Sequence, residues 1–308
     1  MMGTTSTRHL PLAPAAVFAL VWSSGYIAGP YGVEAMSPLM LVAVRFVLAA
    51  AIAWLLARAL RGPLQVTRAD AVRIALSGFV LNGVQFGAMY LAFDAGLGAT
   101  LASLMHSLSP VLTALLAAAF LGERLSRLQV LGFVVGVAGV VLVLGPDVEK
   151  AGGTVGLVCG VVSVLGLSIG TLGQRWIGHA PDPLWSGTIQ FGVAAPPLLV
   201  LAFVVEGTDV VRDPAAAGIA LVYLAVVNSI IGLGLLGILV RARGAGAAAS
   251  VFFVMPPVTA VLAWLLLGET LNAREIAGLV ITVVGVAAAT RSARPRELDP
   301  VASGESAG

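Results

Sequence analysis

Charged side chains are scarce in this chain of 308 residues: Asp, Glu, Lys and Arg together make up 10% of it. Soluble domains usually carry roughly 25% charged residues, since they must present a hydrated surface to water. The deficit argues against a soluble fold. The net charge of +2 does not indicate a nucleic-acid partner, because the positions of the basic residues are explained by membrane topology.

Cysteine and histidine are scarce as well, since the sequence has one cysteine, Cys159, and three histidines. A single cysteine excludes an internal disulfide and provides no thiolate cluster for a metal. No Asp or Glu lies in the middle of any long apolar segment, where a carrier of cationic drugs generally needs one. The sequence thus predicts no metal and no cofactor, and it favours neutral or zwitterionic solutes over cationic ones.

Long apolar segments are abundant in the sequence. Apolar residues make up 59% of the chain, the mean hydropathy is +1.01, and many apolar runs are long enough to cross a bilayer. Backbone groups in such runs must bond within their own segment, which favours helices. We expect an all-α polytopic membrane protein with ten transmembrane helices. The predicted spans are residues 11–30, 38–60, 70–92, 98–121, 126–145, 153–174, 183–204, 215–239, 245–267 and 272–290.

The basic residues predict the orientation of these spans. If the N-terminus lies in the cytoplasm, thirteen Lys and Arg residues flank the cytoplasmic side and three, Lys150, Arg212 and Arg274, flank the other. This bias is the positive-inside pattern, and an odd number of spans would destroy it. Both termini are therefore expected in the cytoplasm, residues 1–10 before the first span and 291–308 as a disordered tail rich in Pro, Gly and Ser.

The second half of the chain repeats the first. Residues 98–144 and 244–290 share 17 identical letters in 47 positions, with proline, glycine and glutamate in register. Two unrelated helices rich in Ala, Val and Leu would not usually share such residues. Earlier segments match as well, at shifts of 145 and 146. The equivalent pairs include Ser23 with Ser168, Gly25 with Gly170, Pro38 with Pro183, Arg45 with Gln190, and Asn82 with Asn228.

Residues 11–145 and 153–290 are thus two units of five spans each. Because five is odd, the second unit enters the membrane from the opposite side, which makes an inverted repeat about an axis in the membrane plane. The hexapeptides FLGERL and LLGETL then end one helix at each membrane face. For their glutamates, Glu123 and Glu269, a structural role in the helical hairpin and a gating contact at the mouth of a pathway both stay open.

Two long segments carry a family resemblance. SLSPVLTALLAAAFLGERLSRLQVLGFVVGVAGVVLV (107–143) and VMPPVTAVLAWLLLGETLNAREIAGLVITVVGV (254–286) closely resemble the EamA family of the drug/metabolite transporter superfamily. VWSSGYIAG and SPLMLVAVRFVLAA look like that family's first two spans, and the resemblance covers about residues 11–290. It implies a ten-helix carrier or facilitator with a central cavity lined mainly by spans 1, 3, 4, 6, 8 and 9. Family members move amino acids, other metabolites, purines, sugar phosphates or drugs, so the resemblance does not fix the substrate.

Prolines near the centres of spans 4 and 9 are candidate hinges. Pro110 and Pro256 are equivalent in the repeat, and Pro257 is a second proline that only the second half has at this point. Proline removes one backbone hydrogen bond and leaves a carbonyl free, which at mid-membrane needs a neighbour or a water-lined cavity. A kink that serves packing alone and a hinge beside a substrate site both stay open.

Polar side chains inside the spans are the candidates for substrate binding. Asn82 and Asn228 are equivalent, and Gln85 shares a helix face with Asn82. Burying an unpaired amide is costly, so each is expected to face the bundle interior, either as a bond between helices or as part of a substrate site. The remaining candidates are Trp22, Ser23, Ser168 and Tyr90, the last of which could instead be an interfacial anchor.

Two ionisable side chains lie within the spans. Arg45 is the one clearly intramembrane cation. It either positions span 2, with its head group reaching toward the outer interface, or attracts a substrate carboxylate. His106 is the one group deep in a span whose ordinary titration range is near neutral pH, and it is either a packing residue or part of the site.

These features favour a multi-pass inner-membrane transporter that exports small neutral or zwitterionic metabolites, such as amino acids, by alternating access around a midplane cavity. The expected partners are the lipid bilayer and the metabolite, and a homodimer is left open. A passive channel or facilitator is the closest alternative. A non-transporting structural subunit is another, and an intramembrane serine hydrolase built on GLSIG around Ser168 is disfavoured, because only His106 could serve it.

Overall fold

The computed structural model describes residues 12–146, 148–177, 182–236, 238–239 and 250–291, and these residues are helical throughout apart from short connections and two isolated β-bridges. The helices are α1 (Leu12–Ala35), α2 (Pro38–Arg61), α3 (Arg68–Asp94), α4 (Ala99–Leu121), α5 (Arg127–Leu144), α6 (Gly153–Trp176), α7 (Pro183–Val205), α8 (Pro214–Leu236), α9 (Val251–Leu267) and α10 (Ala273–Arg291).

Within the described residues, nine of these helices are long and apolar enough to cross a membrane. The exception is α9, which is shorter; the first residues of its predicted span, 245–249, lie outside the described residues. The count of ten spans therefore stays a prediction, while the all-helical membrane architecture is confirmed. The predicted N-terminus 1–10 and nearly all of the predicted tail 291–308 also lie outside the described residues.

Consecutive helices run in opposite directions, so their connections collect at two membrane faces. The Met36 face, as we call it, holds the connections after α1, α3, α5, α7 and α9. Backbone bridges join two pairs of these connections, Met36 with Val211 and Leu97 with Ala151. The Thr67 face holds the connections after α2, α4 and α6. The predicted orientation places the Thr67 face in the cytoplasm.

Helix packing follows the sequence repeat. The equivalent helices α2 and α7 pack on each other, and so do α5 and α10. The contact of α1 with α8 has its counterpart in that of α6 with α3, and the contact of α1 with α9 has its counterpart in that of α6 with α4. Equivalent helices begin at opposite faces. This arrangement fits an inverted repeat about an axis that lies in the membrane plane.

Glycines allow α5 and α10 to touch backbone to backbone. A Cβ atom at Gly139 would lie 2.7 Å from the carbonyl oxygen of Gly278, and one at Gly132 would lie 2.5 Å from that of Gly285. Small residues at such a spacing are how membrane helices approach closely. The GxxxG stretch of the fifth span, Gly132 to Gly136, is thus part of a packing seam.

The fourth helix of each half is interrupted where its proline lies. α4 is broken at Leu108, and α9 changes at Val254 from a 3₁₀ turn to an α-helix. Pro110 and Pro256 both fall in the first turn after the interruption, where a missing N–H costs little. The structure therefore has a break rather than a smooth kink at each position.

Two interruptions of another kind lie in the third helix of each half. Residues Phe79–Val84 of α3 and Tyr223–Ile231 of α8 are wound as π-helix. In a π-helical segment each backbone hydrogen bond joins residues five positions apart, one more than in an α-helix. Such segments occur frequently at functional sites. Asn82 and Asn228 both lie within these segments.

The two hexapeptides end their helices in the same way. Gly122 and Gly268 adopt the left-handed conformation with φ of 69°, which glycine reaches without a side-chain clash. The next helix then begins with a reciprocal cap, as the spacing predicts: Ser126 with Gln129 at one face, and Asn272 with Glu275 at the other.

Candidate functional site

Two adjoining cavities of about 40 Å³ and 130 Å³ lie between the two halves of the chain. We call them together the chamber. Six residues from α1, α2, α3, α6 and α8 line both cavities: Trp22, Arg45, Gln85, Phe86, Leu167 and Asn228. Among the described residues, α2 and α7 contribute to the lining and α9 does not, which differs from the set of spans that the family resemblance implies.

Arg45 is the charged group of the chamber. It is 3% exposed, so its head group does not reach the interface and the snorkelling alternative is wrong. Its Nε donates to Ser229 Oγ (3.1 Å), while its terminal nitrogens donate to Tyr90 Oη (3.0 Å) and Asn228 Oδ1 (2.9 Å). Its guanidinium carbon lies 4.6 Å from the centre of the Phe86 ring. Tyr90 is 2% exposed, which also rules out its alternative as an interfacial anchor.

The charge of Arg45 has no counter-charge in the chamber. None of the described residues that line either cavity is acidic, and the three acceptors of Arg45 are neutral side chains. A guanidinium has five N–H donors, so two of them are left for a ligand. Gln85 is 3% exposed, and its side-chain amide bonds to none of the described residues. A buried cation and an unpaired amide therefore both face the chamber.

The equivalent contact in the other half is weaker and uncharged. Gln190 replaces Arg45, and its Oε1 accepts from Asn82 Nδ2 at 3.4 Å and from Gln174 Nε2 at 3.5 Å. Asn82 also donates to the carbonyl of Gly78 at 3.2 Å. The repeat thus pairs an asparagine of the π-helical segment with position 45 or 190 in both halves, but it provides a charge in only one.

A chain of hydrogen bonds crosses the chamber wall from α1 to α3. Ser163 Oγ donates its single proton to the backbone carbonyl of Gln85 (2.8 Å), so it accepts from His106 Nε2 (2.9 Å). Nδ1 of a neutral His106 then accepts from the hydroxyl of Tyr26 (2.8 Å). His106 lines the smaller cavity while both of its ring nitrogens are occupied by the protein.

Aromatic and aliphatic side chains make up most of the remaining wall. Around Arg45, the lining includes Met89, Tyr90 and Phe93 in the smaller cavity. In the larger cavity it includes Phe191, whose ring stacks on that of Phe46 with 5.4 Å between centres, and Leu233. The chamber therefore combines one charged side chain with apolar surface, as small-molecule sites commonly do.

Two predicted site residues lie elsewhere. Ser23 and Ser168 are fully buried and are not among the lining residues. Ser23 Oγ donates to the carbonyl of Met255 (3.3 Å), and Ser168 Oγ lies 3.4 Å from the carbonyl of Ser109. Each serine therefore contacts the backbone at the interruption in the fourth helix of the opposite half.

Sequence reasoning missed three hydroxyl-bearing residues of the chamber and its wall, Tyr26, Ser163 and Ser229. Their equivalents in the other half are Thr171, Phe18 and Gly83, so comparison of the repeats gave no signal for them. Tyr26 does lie four residues after Trp22, on the same helix face, which could have indicated it.

Two carboxylates bridge the halves of the chain at the Met36 face. Glu269 accepts from the backbone N–H groups of Ala99 (2.6 Å) and Thr100 (3.2 Å), and from the Thr100 hydroxyl (2.7 Å). Glu206 accepts in the same way from the N–H groups of Leu39 (2.7 Å) and Met40 (3.0 Å). Each carboxylate of the second half thus lies on the positive N-terminus of a helix of the first half.

Two of the described contacts at the Thr67 face are ion pairs between side chains. Glu123, the equivalent of Glu269, pairs with Arg175 at 2.9 Å, and both side chains are about half exposed. Arg61 pairs with Asp182 at 2.9 Å. Exposed ion pairs contribute little, typically 0–1 kcal/mol. The Met36 face is therefore held more firmly than the described part of the Thr67 face.

Comparisons with known proteins match this architecture. The EamA-like transporter family matches the chain twice, over residues 12–145 and 154–291. A solved crystal structure has the same fold, with a TM-score of 0.65 over 91% of this chain and 96% of that chain. Its sequence identity of 22% supports the fold alone.

Three relatives cover nearly the whole chain. A "Probable amino-acid metabolite efflux pump" of Salmonella typhimurium is 26% identical, covering 88% of this chain and 92% of its own. The "Uncharacterized inner membrane transporter YedA" of Escherichia coli is 30% identical, covering 89% of each. A "Probable terminal-alkyne amino-acid exporter" of Streptantibioticus cattleyicolor is 30% identical, covering 88% and 92%. These matches confirm a multi-pass inner-membrane transporter rather than an enzyme.

Proposed function

We propose that this chain, which belongs to the EamA-like transporter family, exports small neutral or zwitterionic metabolites such as amino acids by alternating access. The observation that carries the proposal is the chamber, which is built from both halves and carries polar groups, with Glu206 and Glu269 bridging the halves at the Met36 face. Binding between inverted repeats is the arrangement that alternating access needs.

Export of amino acids is supported by the relatives, since two of the three carry names of amino-acid efflux proteins. The excess of basic residues supports ten spans with both termini in the cytoplasm. In that orientation the Met36 face is extracellular, and we take the described conformation, with its carboxylate bridges at that face, to be the one closed outward. The interruptions at Leu108 and Val254, each beside a proline, are the hinges of the proposed movement.

A counterflow assay, which measures exchange of solute across the membrane, tests the transport proposal. The purified chain in liposomes should exchange an external labelled mixture of amino acids for an unlabelled internal mixture, with a rate that saturates with concentration. Protein-free liposomes are the control. A flux that neither saturates nor accelerates with internal solute would instead indicate a passive channel, and the absence of any flux would refute transport of amino acids.

Cysteine labelling measures the orientation. Arg124→Cys and Thr270→Cys, each in a Cys159→Ser background, place one thiol in each hexapeptide. We expect an impermeant maleimide added to intact cells to label the cysteine at position 270 and not the one at position 124. Labelling of both from the same side would overturn the inverted repeat.

A further inference from the structure

We infer that the chamber recognises its solute by a carboxylate bound to Arg45, and that an α-amino group is not required. The substrate class is then monocarboxylates with an apolar body, of which amino acids are one part. This inference rests on the proposed transport function and extends its substrate class from zwitterions to monoanionic carboxylates.

The first step is the unmet charge of Arg45. Arg45 is 3% exposed, and its guanidinium has only neutral acceptors and retains two free N–H donors beside the cavity. A buried charge without a counter-charge is costly. A ligand carboxylate supplies that counter-charge and accepts the planar pair of N–H groups that arginine offers.

The second step is that Arg45 is already oriented. Its three partners hold it from two other helices, Tyr90 from α3 and Asn228 and Ser229 from α8. A flexible arginine side chain would otherwise lose conformational entropy when a ligand fixed it. A guanidinium fixed in advance binds an anion with less loss of freedom.

The third step concerns the amino group. A zwitterion would bring an ammonium into a chamber whose described lining has no acidic side chain. Gln85 offers the one unpaired side-chain amide, which is both a donor and an acceptor. Gln85 can therefore bind an amino, hydroxyl or keto group with no preference for positive charge. The chamber tolerates an ammonium but gains nothing electrostatic from it.

Four phenyl compounds separate the two groups of the ligand. L-Phenylalanine has both the carboxylate and the amine, 3-phenylpropionate has only the carboxylate, L-phenylalaninamide only the amine, and 3-phenylpropanamide neither. We expect both carboxylates to inhibit the counterflow of labelled amino acids at similar concentrations. The amides should be weaker by about 10-fold or more, as expected for loss of a charge-assisted pair.

Thermal stabilisation of the purified protein by the same four compounds gives a second readout that does not depend on flux. Stabilisation by both carboxylates and not by the amides is the expected result. If L-phenylalanine and L-phenylalaninamide act while 3-phenylpropionate does not, the amine is the recognised group and the inference is wrong, although transport stands. If no amino acid exchanges but the carboxylates stabilise, the transport proposal fails and the inference survives. If none of the four compounds acts in either assay, the inference fails.

Variants of Arg45 test the assignment itself. Arg45→Gln reproduces the neutral amide of Gln190 and should remove the preference for carboxylates over amides. Arg45→Lys keeps a charge but loses the planar pair of donors, so it should retain a reduced preference. An unchanged preference in Arg45→Gln would assign the carboxylate to another group. Gel filtration checks the folding of both variants.

Discussion

Equivalent glutamates in the two halves of the chain have different partners. The carboxylate of Glu269 accepts hydrogen bonds from two backbone N–H groups and a hydroxyl at the N-terminus of α4. Glu123, from the same hexapeptide motif, instead pairs with Arg175 in a half-exposed contact. The motif is symmetric and its contacts are not. The comparison shows that the repeat sets the positions of the helices, whereas the contacts of equivalent carboxylates differ between the halves.

The chamber shows the same kind of difference between Arg45 and Gln190. Asn228 accepts from Arg45 at 2.9 Å, whereas Asn82 donates to Gln190 at 3.4 Å. This difference lies in the sequence rather than in the state. One half therefore supplies the charge, and the other pairs the equivalent positions through a longer, uncharged bond.

The largest expected effect separates the two asparagines. Asn228→Leu removes an acceptor of a buried cation and should reduce counterflow by about 10- to 100-fold, because bonds to charged groups are worth roughly 1.5–3 kcal/mol. Asn82→Leu removes longer, uncharged bonds and should reduce it by about 5-fold or less. Initial rates normalised to reconstituted protein measure both. Equal losses would show that the two halves contribute alike.

An intermediate effect separates the two glutamates. Glu269→Gln removes a negative charge from the N-terminus of α4 and should favour conformations that are open at the Met36 face, by about 10-fold. Glu123→Gln should change accessibility by about 2-fold or less, because it breaks an exposed ion pair. The readout is the rate at which an impermeant maleimide labels a cysteine at Met89 in Cys159→Ser cells. A larger effect of Glu123→Gln would reverse our assignment of the closed face.

The smallest expected effect concerns two equivalent threonines beside the interruptions. Thr113 Oγ1 donates to the carbonyl of Ser168 at 3.3 Å, whereas the buried hydroxyl of Thr259 has no partner among the described residues. Thr113→Val should lower stability by about 1 kcal/mol, and Thr259→Val should be neutral or stabilising by a similar amount. Thermal unfolding in detergent measures both. Destabilisation by Thr259→Val would mean that its hydroxyl is bonded.

Much of the fold could be predicted from the sequence, because hydrophobic length and the glycine and proline punctuation determine it locally. The caps at Ser126 and Asn272 follow from residues three positions apart. The π-helical segments could not be predicted, because a change in hydrogen-bond register produces no recognisable pattern in the amino-acid sequence. The state of the Met36 face was equally hidden, because the partners of Glu269 lie 169 and 170 residues away.

The candidate site could be predicted in part. Asn82, Gln85 and Asn228 were indicated by polarity within apolar spans, and the structure places all three on the chamber wall. Their roles in binding stay predictions. The orientation of Arg45 could not be inferred, because depth in one helix says nothing of the hydroxyl and amide groups that two other helices bring to it.

Arg45 also bears on how such a chain could have arisen from a smaller one. Arg45 and Gln190 both line the larger cavity, so in an ancestral dimer of identical five-helix subunits two guanidinium groups would share it, and like charges in a low-dielectric space repel strongly. Fusion of the subunits into one polypeptide lets one copy keep arginine while the other carries glutamine. Duplication alone would thus give two cationic positions. Divergence of the two halves after their fusion is what leaves a single one.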